Sequence, residues 1–406
     1  MSWSRILPFL ALVGLSVAAV LWWYRPWSPW SPAAMNSLFH PEQREEYFRH
    51  LDRVFPYRVV EAPGENHRFP VAHTGLPDDF AHEGERIDSQ EFLERTRTTG
   101  VVVVQDGQIR HEEYRRGADE DARLTSWSVA KTVVATLVPI AMEQGHLQSL
   151  DDRVADHVPE LAGTDWAEVT VRDLLRMASG MDFDERYDTR FSDLQFLFYR
   201  TFLLNRPVDA VIENLQREEP PGENFRYISP NTRMLARVLQ EATGEPLLDY
   251  LERELWQPLG MEADAFWSTD HQGNVLALCC LNATLRDYAR LGQLYLQQGQ
   301  WQGESLLPAE WVPRATRRPE PWLAAGEAHA SRGYGYHLWV PRDPDGEYFA
   351  SGIWGQMIWV SENHDTVIVK TSADPRFFPN LDETISFMRA VSERGVSRHT
   401  GSQEKE

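Results

Sequence analysis

The sequence predicts an α/β (α+β) protein in which strands from both ends of the folded region form one sheet around an inserted helical region, behind an N-terminal transmembrane helix. Three observations predict it. Runs of β-branched and aromatic residues fall at 101 to 114 and again between 334 and 370. The stretch between them, roughly 146 to 310, carries a largely helical period. Residues 6 to 24 are apolar and uncharged. A length of 406 residues allows a large core in one or two domains.

The amino terminus is set apart from the fold. Its apolar run of 19 residues lies between Arg5 and Arg25 and is long enough to span a bilayer. Trp22, Trp23, Tyr24, Trp27 and Trp30 cluster at its exit, as at a membrane interface. A cleaved signal peptide is the rival reading, but the run exceeds a usual signal core and no clear small-x-small site follows it. Residues 1 to 25 are expected to be an uncleaved single-pass anchor, with flanking charges that set its orientation only weakly. Residues 26 to 84 read as a linker and N-terminal extension that opens with a stiff Pro-rich spacer.

The elements then follow in order. Residues 101 to 105 and 109 to 114, joined by Asp106-Gly107, predict a β-hairpin with a two-residue turn. After a polar loop, Ser126 can cap an apolar helix from near Ser128 to about Gly145. Helical patterns recur at 171 to 177, at 231 to 243 with Gly244 as a stop, and at 283 to 298. Short strand-like runs occupy 334 to 340, 348 to 353, 357 to 360 and 366 to 370, before a closing helix at 381 to 393. The tail, 396 to 406, is polar and expected to be disordered.

Composition narrows the chemistry. A net charge of −21 argues against a nucleic-acid partner and against docking on anionic lipid through a basic patch. Cys279 and Cys280 are adjacent, so two buried thiols are expected rather than a disulfide. There is no Gly-x-Ser-x-Gly elbow, no phosphate-binding loop and no His-Glu-x-x-His. The 13 histidines show no metal-ligand spacing, so no metal and no organic cofactor are implied.

One pair of residues points to a reaction. The chain has only three lysines against 37 arginines, and Lys131 is embedded among Val133, Val134, Leu137 and Val138. Unlike a guanidinium, a buried amine can lose its proton near neutral pH. Ser128 lies three residues upstream, on the same helical face, where the amine could take the hydroxyl proton. Ser-x-x-Lys alone is a weak pattern, and Ser402 and Lys405 repeat it in the polar tail without a helix or apolar cover. At Ser128 the first turn of a buried helix adds outward N–H groups and a dipole that favour an oxyanion.

Several motifs, ordered along the chain, resemble the serine β-lactamase/penicillin-binding-protein superfamily, and more narrowly its 6-aminohexanoate-dimer hydrolase and esterase branch. They are Trp127-Ser-Val-Ala-Lys131, Glu143-Gln-Gly-His-Leu-Gln-Ser-Leu-Asp-Asp152, Leu174-Leu-Arg-Met-Ala-Ser-Gly180 and Leu281-Asn-Ala-Thr-Leu-Arg-Asp-Tyr-Ala-Arg-Leu-Gly292. The resemblance covers roughly residues 85 to 395. It implies a β-lactamase/transpeptidase-like fold, with a five-stranded antiparallel sheet, a helical domain and the site between them.

By that resemblance Ser128 is the nucleophile and Lys131 its base. Tyr227, in Tyr-Ile-Ser229, is the second element, a phenol expected to have a depressed pKa beside an ammonium and to relay a proton. Whether Lys131 or Tyr227 is the acylation base stays open. The third element departs from the pattern. Penicillin-recognising members carry Lys-Thr-Gly, whereas the corresponding strand here reads Ser351-Gly352-Ile353-Trp-Gly-Gln356 and has no cation. That removes a partner for a substrate carboxylate. The resemblance implies that the Ser128 and Ile353 N–H groups form the oxyanion hole, with Gly352 allowing close approach. Lys370-Thr-Ser372 imitates the motif two strands later, where a structural role is expected. Tyr187 is a candidate for closing over substrate; an ordinary loop tyrosine is the alternative.

The expected activity is a serine hydrolase that acts through an acyl-enzyme on a small-molecule amide or ester substrate. A β-lactamase or D-alanyl-D-alanine carboxypeptidase is the first competitor, and a catalytically silent envelope-binding protein the second. The anchor implies an inner-membrane location with the hydrolase domain in the periplasm or extracytoplasmic space; release after signal cleavage is the alternative. The sequence does not fix an oligomeric state.

Overall fold

The computed structural model describes residues 3 to 24, 38 to 189, 191 to 316 and 320 to 394. The proposed spacer with Trp27 and Trp30, and the tail with Lys405, lie outside these residues. Helix α1 (Trp3–Tyr24) runs for 22 residues. Among the described residues no helix is long and apolar enough to cross a membrane. The expected span is therefore not established by the fold.

The main sheet is stitched from both ends of the domain. Strands β1 (Thr98–Gln105) and β2 (Gln108–Tyr114) form the predicted hairpin. Its turn residues Asp106 and Gly107 have φ of 51° and 69°, the sign a tight two-residue hairpin turn requires. The other strands are β3 (Arg332–Tyr334), β4 (Trp339–Pro341), β5 (Glu347–Gly352), β6 (Gln356–Ser361) and β7 (Thr366–Ser372). The order is β3-β4-β5-β6-β7-β1-β2, antiparallel throughout. The last strand pairs with the first, with Ile368 opposite Val103 and Val369 opposite Val102.

The sheet has seven strands rather than the five that the resemblance implies; six runs were read from the sequence, and the 334-to-340 run is two strands, not one. Gly335 N donates to Leu338 O at 2.8 Å, folding the chain back so that Tyr334 faces Trp339 across a short edge hairpin. The largely helical central region also contributes strands. Ala265–Ser268 and Leu281–Ala283 join Tyr57–Val60 and Leu124–Thr125 in a second, four-stranded sheet. The N-terminal extension thereby enters the body, and Leu38, Phe48, Leu51, Val54 and Phe55 are buried in the main core.

The helices that frame the site are α2 (Ser89–Arg95), α3 (Val129–Glu143), α4 (Ser229–Thr243), α5 (Leu285–Leu296) and α6 (Leu381–Glu393). Alternation along the strands gives the sheet two apolar faces. Val102, Val104, Val367 and Val369 share a core with the apolar residues of α3 and α5. Gly292 lets α5 lie flat against that face, since a Cβ there would stand 2.5 Å from a Val367 methyl. On the opposite face, Val101, Val103, Ile368 and Trp359 pack with α2 and α6, where the Phe92 and Phe387 rings are 4.9 Å apart.

Two local expectations are corrected. Ser126 does not cap α3 with its side chain; its hydroxyl donates to the Trp127 carbonyl, and Ser128 occupies the cap position without spending its own hydroxyl there. Cys279 and Cys280 are joined by a disulfide. Cys280 takes a φ of 71°.

Candidate active site

Ser128 stands at the start of α3, after Trp127, whose φ of 44° turns the chain sharply from strand to helix. A non-glycine residue in that region is uncommon and depends on surrounding packing. Here Trp127 is held by Phe48, with ring centroids 5.2 Å apart. Ser128 is half-buried and reachable. One turn along, Lys131 Nζ donates to Ser128 Oγ at 3.0 Å and to the Leu278 carbonyl at 2.6 Å. Only 2% of Lys131 is exposed, and burial pushes its pKa down to about 8, with Glu185 working the other way.

Tyr227 enters from the loop before α4. Its phenol is near enough to the Ser128 side chain for Ser128 to lower its pKa, and the Lys131 ammonium lies 5.3 Å from its ring centroid. Contrary to expectation its pKa is not depressed. Burial raises it, and this outweighs the lowering influence of Ser128. Tyr227 is therefore a neutral phenol, and of the two candidate bases Lys131 is the one whose proton is loosened.

Sequence reasoning missed Glu185. Its carboxylate accepts from the Ser229 hydroxyl at 2.5 Å, the Ser229 N–H at 2.9 Å and the Tyr187 hydroxyl at 2.8 Å. It also bears electrostatically on Lys131. One carboxylate thus ties the Tyr-Ile-Ser segment, the Tyr187 loop and the ammonium together. Tyr187 reaches across to Phe378, with ring centroids 5.9 Å apart. Among 61 acidic residues a single loop Glu gave no signal; only its position two residues before Tyr187 could have marked it.

The end of β5 closes the site. A Cβ on Gly352 would fall 2.5 Å from the Ser126 carbonyl oxygen and 3.0 Å from Ser128 N, so only glycine fits the approach. Ile353 follows directly, in the turn Ile353–Gly355 that carries Trp354 at a φ of 65°. Ser351 is half-buried and lines a narrow cleft together with Gly352 and Arg332. Lys370 borders this cleft on β7, where it pairs with Met357. Its ammonium donates to Ser372 Oγ at 3.1 Å and lies over the Phe92 ring, which suits the structural role expected of it. Among the described residues no group of three or more His, Cys, Asp or Glu side chains could hold a metal ion.

An antiparallel sheet with a buried serine–lysine pair at the start of a covering helix defines a β-lactamase/transpeptidase-like hydrolase. The family model described as Beta-lactamase matches residues 89 to 389, and the chain belongs to that family. Within it, the chain is 29% identical over 305 residues to a 6-aminohexanoate-dimer hydrolase of Paenarthrobacter ureafaciens, covering 71% of this chain and 76% of that one. It is 32% identical over 197 residues to penicillin-binding protein 4 of Amycolatopsis lactamdurans, covering 46% and 49%. The fold matches a Bacillus anthracis structure provisionally assigned as a 6-aminohexanoate-dimer hydrolase, with a TM-score of 0.81, 23% identity and coverage of 89% and 96%. These relatives support the esterase-like branch of the serine β-lactamase/penicillin-binding-protein superfamily.

Proposed function

We propose that this protein is a serine hydrolase that cleaves small amides or esters through an acyl-enzyme, with Ser128 as nucleophile and Lys131 as acylation base. The observation that carries this reading is the 3.0 Å contact between Lys131 Nζ and Ser128 Oγ, made by an amine pushed down to about 8. Neutral Lys131 takes the hydroxyl proton as Ser128 Oγ bonds to the substrate carbonyl carbon. The oxyanion is received by the Ser128 and Ile353 N–H groups. The Tyr227 hydroxyl passes a proton to the departing nitrogen or oxygen, and the Tyr227 oxygen regains one from the lysine ammonium. Water then attacks the acyl carbon in the reverse sense, regenerating Ser128 and releasing the acid.

The test is a fluorophosphonate probe together with short nitrophenyl esters. Labelling and turnover in the wild type, both lost in Ser128→Ala, are the expected result. A wild type inert to both would overturn the reading in favour of a silent binding protein. The penicillin-binding relative favours a second reading, a β-lactamase or peptidase. Fast hydrolysis of a chromogenic cephalosporin, exceeding that of every ester and linear amide tried, would support it instead.

We further propose that α1 anchors the hydrolase to the inner membrane, with its domain outside the cytoplasm. Phe9, Leu10, Leu12, Leu15 and Trp22 are all exposed on this helix, as a lipid-facing surface would be. Cell fractionation of the full chain should place it in the membrane pellet, resistant to high salt and released by detergent. Recovery in the soluble fraction would count against the anchor.

A further inference from the structure

The two N–H groups of the proposed oxyanion hole each sit beside a tryptophan in left-handed backbone. Ser128 follows Trp127, at a φ of 44°, and Ile353 precedes Trp354, at a φ of 65°. A bulky residue in that region is rare and stays there only where surrounding packing holds it. One short segment packs on both tryptophans. It is residues 38 to 49, which the sequence reads as extension rather than as part of the site. The Phe39 ring stacks near-parallel on Trp127 and on Trp354, with centroids 6.0 Å apart in each case. The Phe48 ring meets both at a steep angle, at 5.2 and 5.9 Å. The Arg44 guanidinium lies 4.2 Å from the centre of a Trp354 ring.

Four rings and a cation thus join the nucleophile's turn to the turn after β5. The two turns already touch at Gly352, where a Cβ would meet Ser128 N at 3.0 Å and Trp127 Cβ at 3.1 Å. A small rotation at either tryptophan would therefore change the spacing of the two donors. The Trp354 backbone is held from β7, since its carbonyl accepts from Ser372 Oγ at 2.8 Å and from the Asp374 N–H at 3.1 Å. Its side chain is held by the segment. That segment is itself fixed to the body of the fold. Leu38 and Phe48 are buried in the main core. Glu45 pairs with Arg97 at 2.7 Å and with Arg116 at 3.1 Å, and Arg49 donates to the Arg116 carbonyl at 2.6 Å. Phe39 differs from Phe48 in being 41% exposed. So exposed a ring adds little to the core, yet it touches both turns, and ring pairs at these separations attract beyond their buried area.

We infer that residues 38 to 49 are a positioning element for this hydrolase: Phe39, Phe48 and Arg44 hold Trp127 and Trp354 so that the Ser128 and Ile353 N–H groups keep the separation an oxyanion needs. The inference rests on the hydrolase reading above and adds the residues that preorganise its oxyanion hole. The three act through the tryptophans rather than on the substrate. Donors fixed in advance stabilise developing charge without reorganising, so slack in them weakens transition-state binding more than substrate binding.

The test uses the full chain, with Phe39→Ala and Phe48→Ala as loosened forms and Phe39→Tyr as the form that keeps the ring. Active sites are counted by fluorophosphonate titration, so that rates refer to competent enzyme. On a short nitrophenyl ester both Ala variants should lose kcat by roughly tenfold or more, with KM within about twofold of wild type. Phenylboronic acid bonds to Ser128 Oγ through boron and sets an oxygen of its anionic tetrahedral adduct where the oxyanion forms. Its Ki should rise by about the factor that kcat falls. Phe39→Tyr should keep both values near wild type. The rising limb near pH 8 should not move, and a shifted limb would place the effect on Lys131 and overturn the inference. Wild-type kcat in folded Phe39→Ala, a loss confined to KM, or a lower kcat with unchanged boronate affinity also overturns it. Each of these leaves the hydrolase reading intact. If the wild type takes neither probe nor ester, the hydrolase reading fails by itself. Hydrogen exchange then decides the positioning role: the amides of 127 to 129 and 352 to 355 should exchange faster in Phe39→Ala, and equal exchange rejects it. Phe39→Ala decides alone if Phe48→Ala fails to fold, with Phe39→Leu in its place should it fail as well.

Discussion

Lys131 Nζ lies 3.0 Å from Ser128 Oγ, and the two side chains share one face of the first turn of α3. The amine can act on the hydroxyl only when it carries no proton. Lys131→Ala and Lys131→Arg should therefore lose kcat by similar factors, on the order of 10² to 10⁴. Arginine keeps the charge but cannot release its proton. Steady-state kinetics on a nitrophenyl ester check this, and an Arg variant with near-wild-type activity would sink the base assignment.

The pH profile follows from the same amine. Burial moves Lys131 down to about 8, so the active, neutral form gains population as pH rises through that value. A rising limb in kcat/KM near pH 8 is expected. Glu185 holds the ammonium's pKa up, so Glu185→Gln should move this limb to lower pH. A limb that stays put, or moves upward, would show that Glu185 has no electrostatic hold on Lys131.

Tyr227→Phe separates donor from base. If the phenol protonates the leaving group, amide cleavage should fall by about 10² or more. Turnover of a nitrophenyl ester, whose leaving group departs without a proton, should fall much less. Equal losses on both substrates would contradict this role.

Gly352→Ala would drive a methyl group to within 2.5 Å of the Ser126 carbonyl and 3.0 Å of Ser128 N. The strand must then retreat from the nucleophile's N–H. A loss of roughly 10²- to 10³-fold in kcat is expected, the size of a missing oxyanion donor. Circular dichroism should show a folded protein; full activity in that protein would show that β5 takes no part in the site.

Acid stability should report His337. Its ring is bonded to Thr232 and to the Leu175 carbonyl, and burial pushes its pKa down from 6.5 to about 3. Between those values the unfolded chain takes up a proton that the folded one refuses, so stability falls as pH drops below about 6.5. The contribution is on the order of 1 kcal/mol per pH unit. Denaturant midpoints should fall less steeply with acid in His337→Gln than in the wild type. Parallel curves would remove His337 from the account.

The sequence by itself determined the pairing of Ser128 with Lys131, the β1–β2 hairpin, the assembly of one sheet from distant segments and the family. Each is written locally. A lone lysine among apolar residues, a turn dipeptide between β-branched runs and ordered motifs need no knowledge of what lies across the fold. Only the tertiary structure decided the rest. Burial raises Tyr227 where a neighbouring ammonium had suggested the opposite, because desolvation depends on everything packed around the ring. Glu185 meets Ser229 and Lys131 through segments far away in the chain, and it has no local pattern that distinguishes it from the other acidic residues. The edge hairpin, the second sheet and the Cys279–Cys280 bond likewise follow from backbone turns and pairings. Local periodicity marks which residues are apolar, but not which partner each one meets.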